Sequence, residues 1–133
     1  MKKIDFCFTI VCSENYILET IGLIKNINHI YPKRKIFIIS LDLKTEKTFK
    51  KYKLKCQIIS VSEIWGRKFY KNIKSRMSIP EIAYASKSAS AFFILKKFSK
   101  SILILDADLL ILKKIDDIIN FTKKYPVTMV SAN

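Results

Sequence analysis

The sequence has 133 residues, half of them hydrophobic, and a formal charge of +14 from 25 basic and 11 acidic side chains. That length fits one domain, and the hydrophobic share allows a packed core, which argues against whole-chain disorder. No apolar run reaches the roughly 18 residues of a membrane span. Asp5 and Ser13 interrupt the first apolar run too early for a signal peptide. We therefore expect one cytoplasmic domain over residues 1–133, with peripheral contact at the inner face of a membrane left open.

The basic residues are nearly all lysines, with local groups at 44–55, 68–74 and 96–100. Such a surface attracts anions in general, including nucleotides, nucleic acid and acidic lipid head groups. Nucleic-acid binding favours arginine forks with interleaved aromatic side chains, and no such module occurs. The absence of such a module argues against nucleic acid as a partner, an anionic membrane surface stays open, and the charge by itself does not choose a function. A solvated lysine-rich surface without a partner explains the same pattern.

Strands and helices alternate in the first half of the chain. Residues 6–12, 35–41 and 56–61 are short β-branched or aromatic runs, which are typical of strands. Isoleucines at helical spacing predict a helix from 16 to about 29, and residues 45–52 predict a short, basic, exposed helix. This order indicates parallel βαβ units with right-handed crossovers. The predicted fold class is α/β, a three-layer sandwich with a mostly parallel central sheet.

A long helix is predicted in the second half of the chain. Residues 64–70 predict either a short helix or a loop whose aromatic side chains cover the edge of the core. Ser78 and Pro80 are typical of a helix start, and the helix from 80 to 98 carries many small residues that would let it lie close to a sheet or a ligand. Lys87 stands among them, where its ammonium could meet a phosphate or face solvent.

Two carboxylates, Asp106 and Asp108, interrupt an apolar run at 101–112 that is typical of a buried parallel strand. Buried carboxylates are costly unless hydrogen bonds or a cation compensate their charge. One interpretation is therefore an Asp-Ala-Asp metal site at the end of a central strand. The other is that the strand stops at Leu105 and both carboxylates lie in a solvated loop.

Polar groups follow several of the predicted strands. Residues 12–16, Asp42 and the Asp106/Asp108 pair all fall where a strand ends. Ligands of open parallel sheets bind beyond the carboxyl ends of the strands, so this convergence favours a site.

Several other kinds of site are excluded. The only histidine, His29, falls late in the first helix, where a cation is favoured, so no Ser-His-Asp or Cys-His arrangement is expected. Glycine-rich phosphate loops need more than the two glycines present. Cys7, Cys12 and Cys56 lack metal-ligand spacing and are expected to be thiols.

Three segments together resemble the GT-A nucleotide-sugar glycosyltransferases, nearest to the glycogenin and lipopolysaccharide galactosyltransferase branch. They are Ala-Tyr-Ala-Ser-Lys at 83–87, the Asp-Ala-Asp stretch at 102–110 and the first strand and turn at 9–16. An Asp-x-Asp pair alone is common, but its place after four apolar residues and the other two segments make the match specific. The resemblance covers almost the whole chain and only the nucleotide-binding half of a usual family member.

The resemblance implies a role for each matching residue. Asp108 would bind Mn²⁺ or Mg²⁺, Asp106 would share the metal or hold the ribose, and the Ala107 backbone would meet the sugar. The implied reaction transfers a sugar from a nucleotide-diphospho-sugar, a UDP-sugar by this resemblance, to a glycan, lipid or protein acceptor. The other implied contacts are Thr9 and Val11 against the base, Tyr16 stacked on it, and Lys87 at the diphosphate or donor sugar.

The chain also departs from the family. The later metal-binding histidine, the acceptor site and the catalytic side chain would lie beyond residue 133, and a strand predicted at 127–131 has no closing helix after it. We therefore expect a donor-binding half that is incomplete at the C-terminus and transfers sugar weakly or not at all, and we assign no catalytic residue.

Other functions fit the sequence less well. A haloacid-dehalogenase-type phosphatase also places two aspartates after a strand, but near the chain start and without the Leu109-Leu110 that follows here. Nucleotidyltransferases need a glycine-rich first turn. The remaining alternative is a non-enzymatic basic module that binds nucleic acid or an anionic membrane surface.

Overall fold

The computed structural model describes residues 2–125, so the strand predicted at 127–131 lies outside the described residues. Within them, four strands form one sheet in the order β3-β2-β1-β4. The strands are β1 (Ile4–Cys12), β2 (Lys35–Ser40), β3 (Gln57–Ser60) and β4 (Ser99–Leu105). The helices are α1 (Ile17–Ile30), α2 (Leu43–Lys51), α3 (Val61–Trp65), α4 (Arg67–Lys74), α5 (Ile79–Lys97) and α6 (Asp116–Lys124), with a 3-10 turn at Glu14–Tyr16.

Every strand pair in the described sheet is parallel. Strand β1 lies between β2 and β4, with Ile10 opposite both Ile38 and Leu105. The carboxyl ends of β1, β2 and β4 therefore meet at one edge of the sheet. This confirms the predicted α/β class and the parallel order of the strands.

The sheet is buried between two helical layers. On one face Ile24 of α1, Phe49 of α2 and Ile119 of α6 pack with Phe8 in one apolar cluster. On the other face Ile94 of α5 packs in a second cluster with side chains of β2 and α3. Each fully buried side chain of this size contributes about 1.5–3 kcal/mol. The three-layer sandwich is thus confirmed.

One helix differs in detail from the sequence prediction, and one region for which the sequence left two alternatives takes the helical one. Helix α2 is exposed only in part, because Phe49 is buried beneath it. The uncertain region at 64–70 is helical and forms parts of α3 and α4, which are separated at Gly66, whose φ is +82°. A positive φ is readily adopted only by glycine, which lets the chain change direction between the two short helices.

Strand β4 lies at the edge of the described sheet rather than at its centre. Its residues Ile102, Leu103 and Ile104 are half-buried, because no described strand covers their outer side. The expectation of a central, fully buried strand is therefore not met within residues 2–125. None of the described helices combines the length and apolar character needed to cross a membrane.

Candidate functional site

The carboxyl ends of β1 and β2 are joined through Asp42. The Leu41 amide donates to the Cys12 carbonyl at 3.0 Å. Asp42 Oδ2 accepts from the Glu14 amide at 2.9 Å, and Oδ1 accepts from the Thr45 amide at 2.7 Å. Asp42 therefore caps α2 and fixes the turn after β1. Asp42 thus positions the edge of the sheet, and it lines a different cavity from the Asp106/Asp108 pair.

The Asp-Ala-Asp segment forms a turn directly after β4. The strand ends at Leu105, and the Leu109 amide donates to the Asp106 carbonyl at 3.3 Å. Ala107 is buried in the core cluster, whereas Asp106 and Asp108 are exposed. Of the two interpretations of this stretch, the structure therefore shows the one in which the strand stops at Leu105 and both carboxylates are exposed. Because water hydrates both carboxylates, no cation is needed to offset the cost of burying their charge.

These exposed carboxylates nevertheless line a cavity of about 410 Å³. Its walls come from the end of β1, the turn that follows, the first half of α5 and the Asp-Ala-Asp turn. Six of the seven residues predicted from the sequence line it: Val11, Tyr16, Lys87, Asp106, Ala107 and Asp108. Segments from residues 11 to 108 thus meet at one edge of the sheet, as the strand topology predicts.

Thr9 is the predicted residue that does not line this cavity. It is fully buried, two residues before Val11 on the side of β1 that faces α5. Neither its Oγ1 nor the buried Oγ of Ser86 on α5 has a hydrogen-bond partner among the described residues. The Thr9 side chain is therefore buried away from the cavity, and the contact of this residue with a base stays a prediction.

Lys87 faces the cavity rather than the outer solvent. Its Nζ forms an ion pair with Asp106 Oδ1, and it lies 5.2 Å from the centroid of the Tyr84 ring. Helix α5 can approach the sheet because Ser86 and Ser90, one turn apart, are fully buried beneath it. The small residues noted in the sequence thus let α5 lie close enough to the sheet for Lys87 to reach the turn after β4.

Sequence reasoning did not assign the other six residues that line the cavity. Tyr84, with 78% of its surface exposed, lies three residues before Lys87 on the same helix face. That spacing of i and i+3 is the signal that could have identified it. The remaining unassigned residues are Ser13, Asn15, Ile79, Pro80 and Ala83.

The cavity offers two carboxylate side chains, Asp106 and Asp108, to a cation. No cluster of three or more His, Cys, Asp or Glu side chains that could hold a metal occurs within residues 2–125. Mg²⁺ is usually bound by one or two carboxylates together with water and substrate phosphates. The donor set of Asp106 and Asp108 fits this open kind of site, in which the other ligands come from the bound molecule.

A larger groove of about 590 Å³ runs along the outer edge of β4. Its charged side chains are Lys100, Lys123 and Lys124, and no carboxylate is among the described residues that line it. The smaller cavity is therefore the better candidate for chemistry, because it brings both signs of charge, aromatic rings and hydroxyl and amide groups together.

Comparison with protein-family models gave no match, and comparison with curated proteins gave none either. The assignment of this cavity therefore depends on its own residues and on the resemblance described for the sequence.

Proposed function

We propose that the domain binds a nucleotide-diphospho-sugar, expected to be a UDP-sugar, as the donor-binding part of a metal-dependent GT-A glycosyltransferase. One observation carries this proposal. Six residues that match the family's donor-site motifs come from three separate segments of the chain and line one cavity.

Charge in the cavity suits a diphosphate with a divalent cation. Asp106 and Asp108 would hold Mn²⁺ or Mg²⁺ by oxygen ligands. The bound cation would neutralise the negative charge that develops on the leaving diphosphate. Lys87 supplies a mobile positive charge from the α5 wall, where its flexible stem lets the ammonium follow a phosphate.

The other walls suit a nucleoside. Tyr16 keeps 47% of its surface exposed and offers a ring face for stacking a base. Val11 adds a small apolar contact beside it. Ser13 and Asn15, on the turn between these two residues, offer hydroxyl and amide groups to a base or a ribose. The acceptor remains a glycan, lipid or protein.

Calorimetric titration of UDP into the purified chain, with and without Mn²⁺, tests the proposal. We expect Mn²⁺-dependent binding that is lost in the Asp106→Asn/Asp108→Asn variant. Asp5→Asn/Asp117→Asn is the matched control, because it removes two exposed acids that do not line the cavity.

UDP binding that is independent of Mn²⁺ and unchanged in the aspartate variant would overturn the proposal. Salt-dependent binding to anionic vesicles that survives the loss of both aspartates would favour the alternative of a basic, non-enzymatic module.

A further inference from the structure

We propose that Lys87 occupies the cation position beside Asp106 until a divalent cation and a diphosphate bind together. The site would then bind each ligand weakly alone and both cooperatively. This inference rests on the proposed function and concerns how the same cavity is filled.

The ion pair spans the cavity where both ligands would meet. Lys87 Nζ comes from α5 and Asp106 Oδ1 from the turn after β4, and the two residues are on different walls. The side chains keep 32% and 56% of their surfaces exposed, so the pair is open to exchange with solutes. Asp108, the second carboxylate of the turn, forms no ion pair within residues 2–125.

A cation binding alone would have to displace the ammonium from Asp106. Afterwards a divalent ion and the Lys87 ammonium would lie in one small cavity, where like charges repel each other. The cation would therefore lose one of its two carboxylate contacts or bind against this repulsion. In either case Lys87 weakens the affinity for a cation that arrives without an anion.

A diphosphate binding alone meets the opposite difficulty. Asp106 neutralises the one cationic side chain that lines the cavity in the described part of the chain, and Asp108 adds a negative charge. When both ligands bind, the cation takes Asp106 and the released Lys87 can pair with phosphate oxygens. Each ligand then favours the arrangement that the other needs, and the coupling is equal in both directions.

The Tyr84 ring offers the Lys87 ammonium a second contact after it separates from Asp106. The Nζ atom lies 5.2 Å from the centroid of the ring, within the range of a cation–π contact. The exposed ring is one helical turn before Lys87 on the cavity wall, so a small rotation of the lysine side chain can keep this contact. The ammonium would thus remain in the cavity and available to a phosphate.

The Lys87→Met variant tests this inference because it keeps an aliphatic chain and removes the charge. Free Mn²⁺ is followed by electron paramagnetic resonance, and UDP binding is followed by calorimetry with and without Mn²⁺. In the wild type we expect Mn²⁺ to tighten UDP binding at least about fivefold, within the usual range of coupling. In Lys87→Met, Mn²⁺ alone should bind roughly threefold or more tightly, from loss of repulsion, and UDP with Mn²⁺ should bind less tightly.

Lys96→Met is the matched control. It removes one lysine from the same helix, where Nζ lies 5.7 Å from the Phe92 ring centroid and away from the cavity. Unchanged or weaker Mn²⁺ binding in a folded Lys87→Met protein would overturn the inference alone, since the aspartate variant tests the proposed function separately. A wild-type chain that binds neither ligand would overturn both.

Discussion

Replacing Asp42 by alanine tests whether this residue supports the site or belongs to it. The change removes the helix cap of α2, in which Thr45 N lies 2.7 Å from Oδ1, at a cost of about 1 kcal/mol. It also removes the charged acceptor of the Glu14 amide at 2.9 Å, which adds about 1 kcal/mol because water replaces part of that bond. We expect the free energy of unfolding to fall by about 2 kcal/mol. The Tm should fall by about 7 °C for a domain of this size.

Thermal and urea unfolding measure this loss, and Asp42→Asn is the control. Asparagine caps helices about as well as aspartate, so this variant should lose less than half as much stability. It should also retain Mn²⁺-dependent UDP binding, since Asp42 holds the turn and does not line the cavity. An alanine variant as stable as the wild type would refute the role in positioning. An asparagine variant that is stable but unable to bind UDP would show that Asp42 contacts the ligand.

Three further predictions concern the core, a thiol and a pH effect. Phe49→Ala should destabilise the protein by about 3–5 kcal/mol in urea unfolding, because the ring is fully buried under α2; a loss below about 1 kcal/mol would contradict that packing. Burial raises the pKa of the Cys12 thiol to about 11, so iodoacetamide should modify it in the native state at pH 8 far more slowly than in urea, as followed by mass spectrometry. The Ser78 hydrogen bonds lower the pKa of Glu81 below its ordinary value of 4.5, so its contribution to stability is present above that pH and is lost as the pH falls through the lowered pKa. The stability difference between wild type and Glu81→Gln should therefore shrink on acidification below about pH 4.5, and a difference that grew there would reverse the argument.

Much of the sheet could be predicted because its strands are buried on both faces. In β2, for example, Ile38 on one face and Ile39 on the other are both fully buried, so such a strand appears in the sequence as a continuous apolar run. The end of β4 could not be located in the same way. The apolar run continues to Leu112, which is 86% exposed, so hydrophobicity alone does not mark the turn that begins at Asp106.

The sequence predicts which edge of the sheet carries the candidate site, but it does not predict which side chains contact one another there. The strand order predicts that residues 12–16, Asp42 and the Asp pair share one edge, but it does not separate a helix cap from a ligand-binding group. The orientation of Lys87 depends on how closely α5 packs against β1 over the buried Ser86. No local sequence pattern predicts how closely this helix approaches the strand, because the distance depends on tertiary packing.

The pairing of β1 with β4 has a consequence for how the protein folds. Ile10 and Leu105 are opposite each other in the sheet, although 95 residues separate them in the chain. Closing so long a loop is slow, and strands β1–β3 with α1 and α2 can associate through shorter loops first. The cavity would then form only at the last pairing step. A ligand that binds there would slow the opening of β4 above all, and amide hydrogen exchange of β4 would report its presence before any global change in stability.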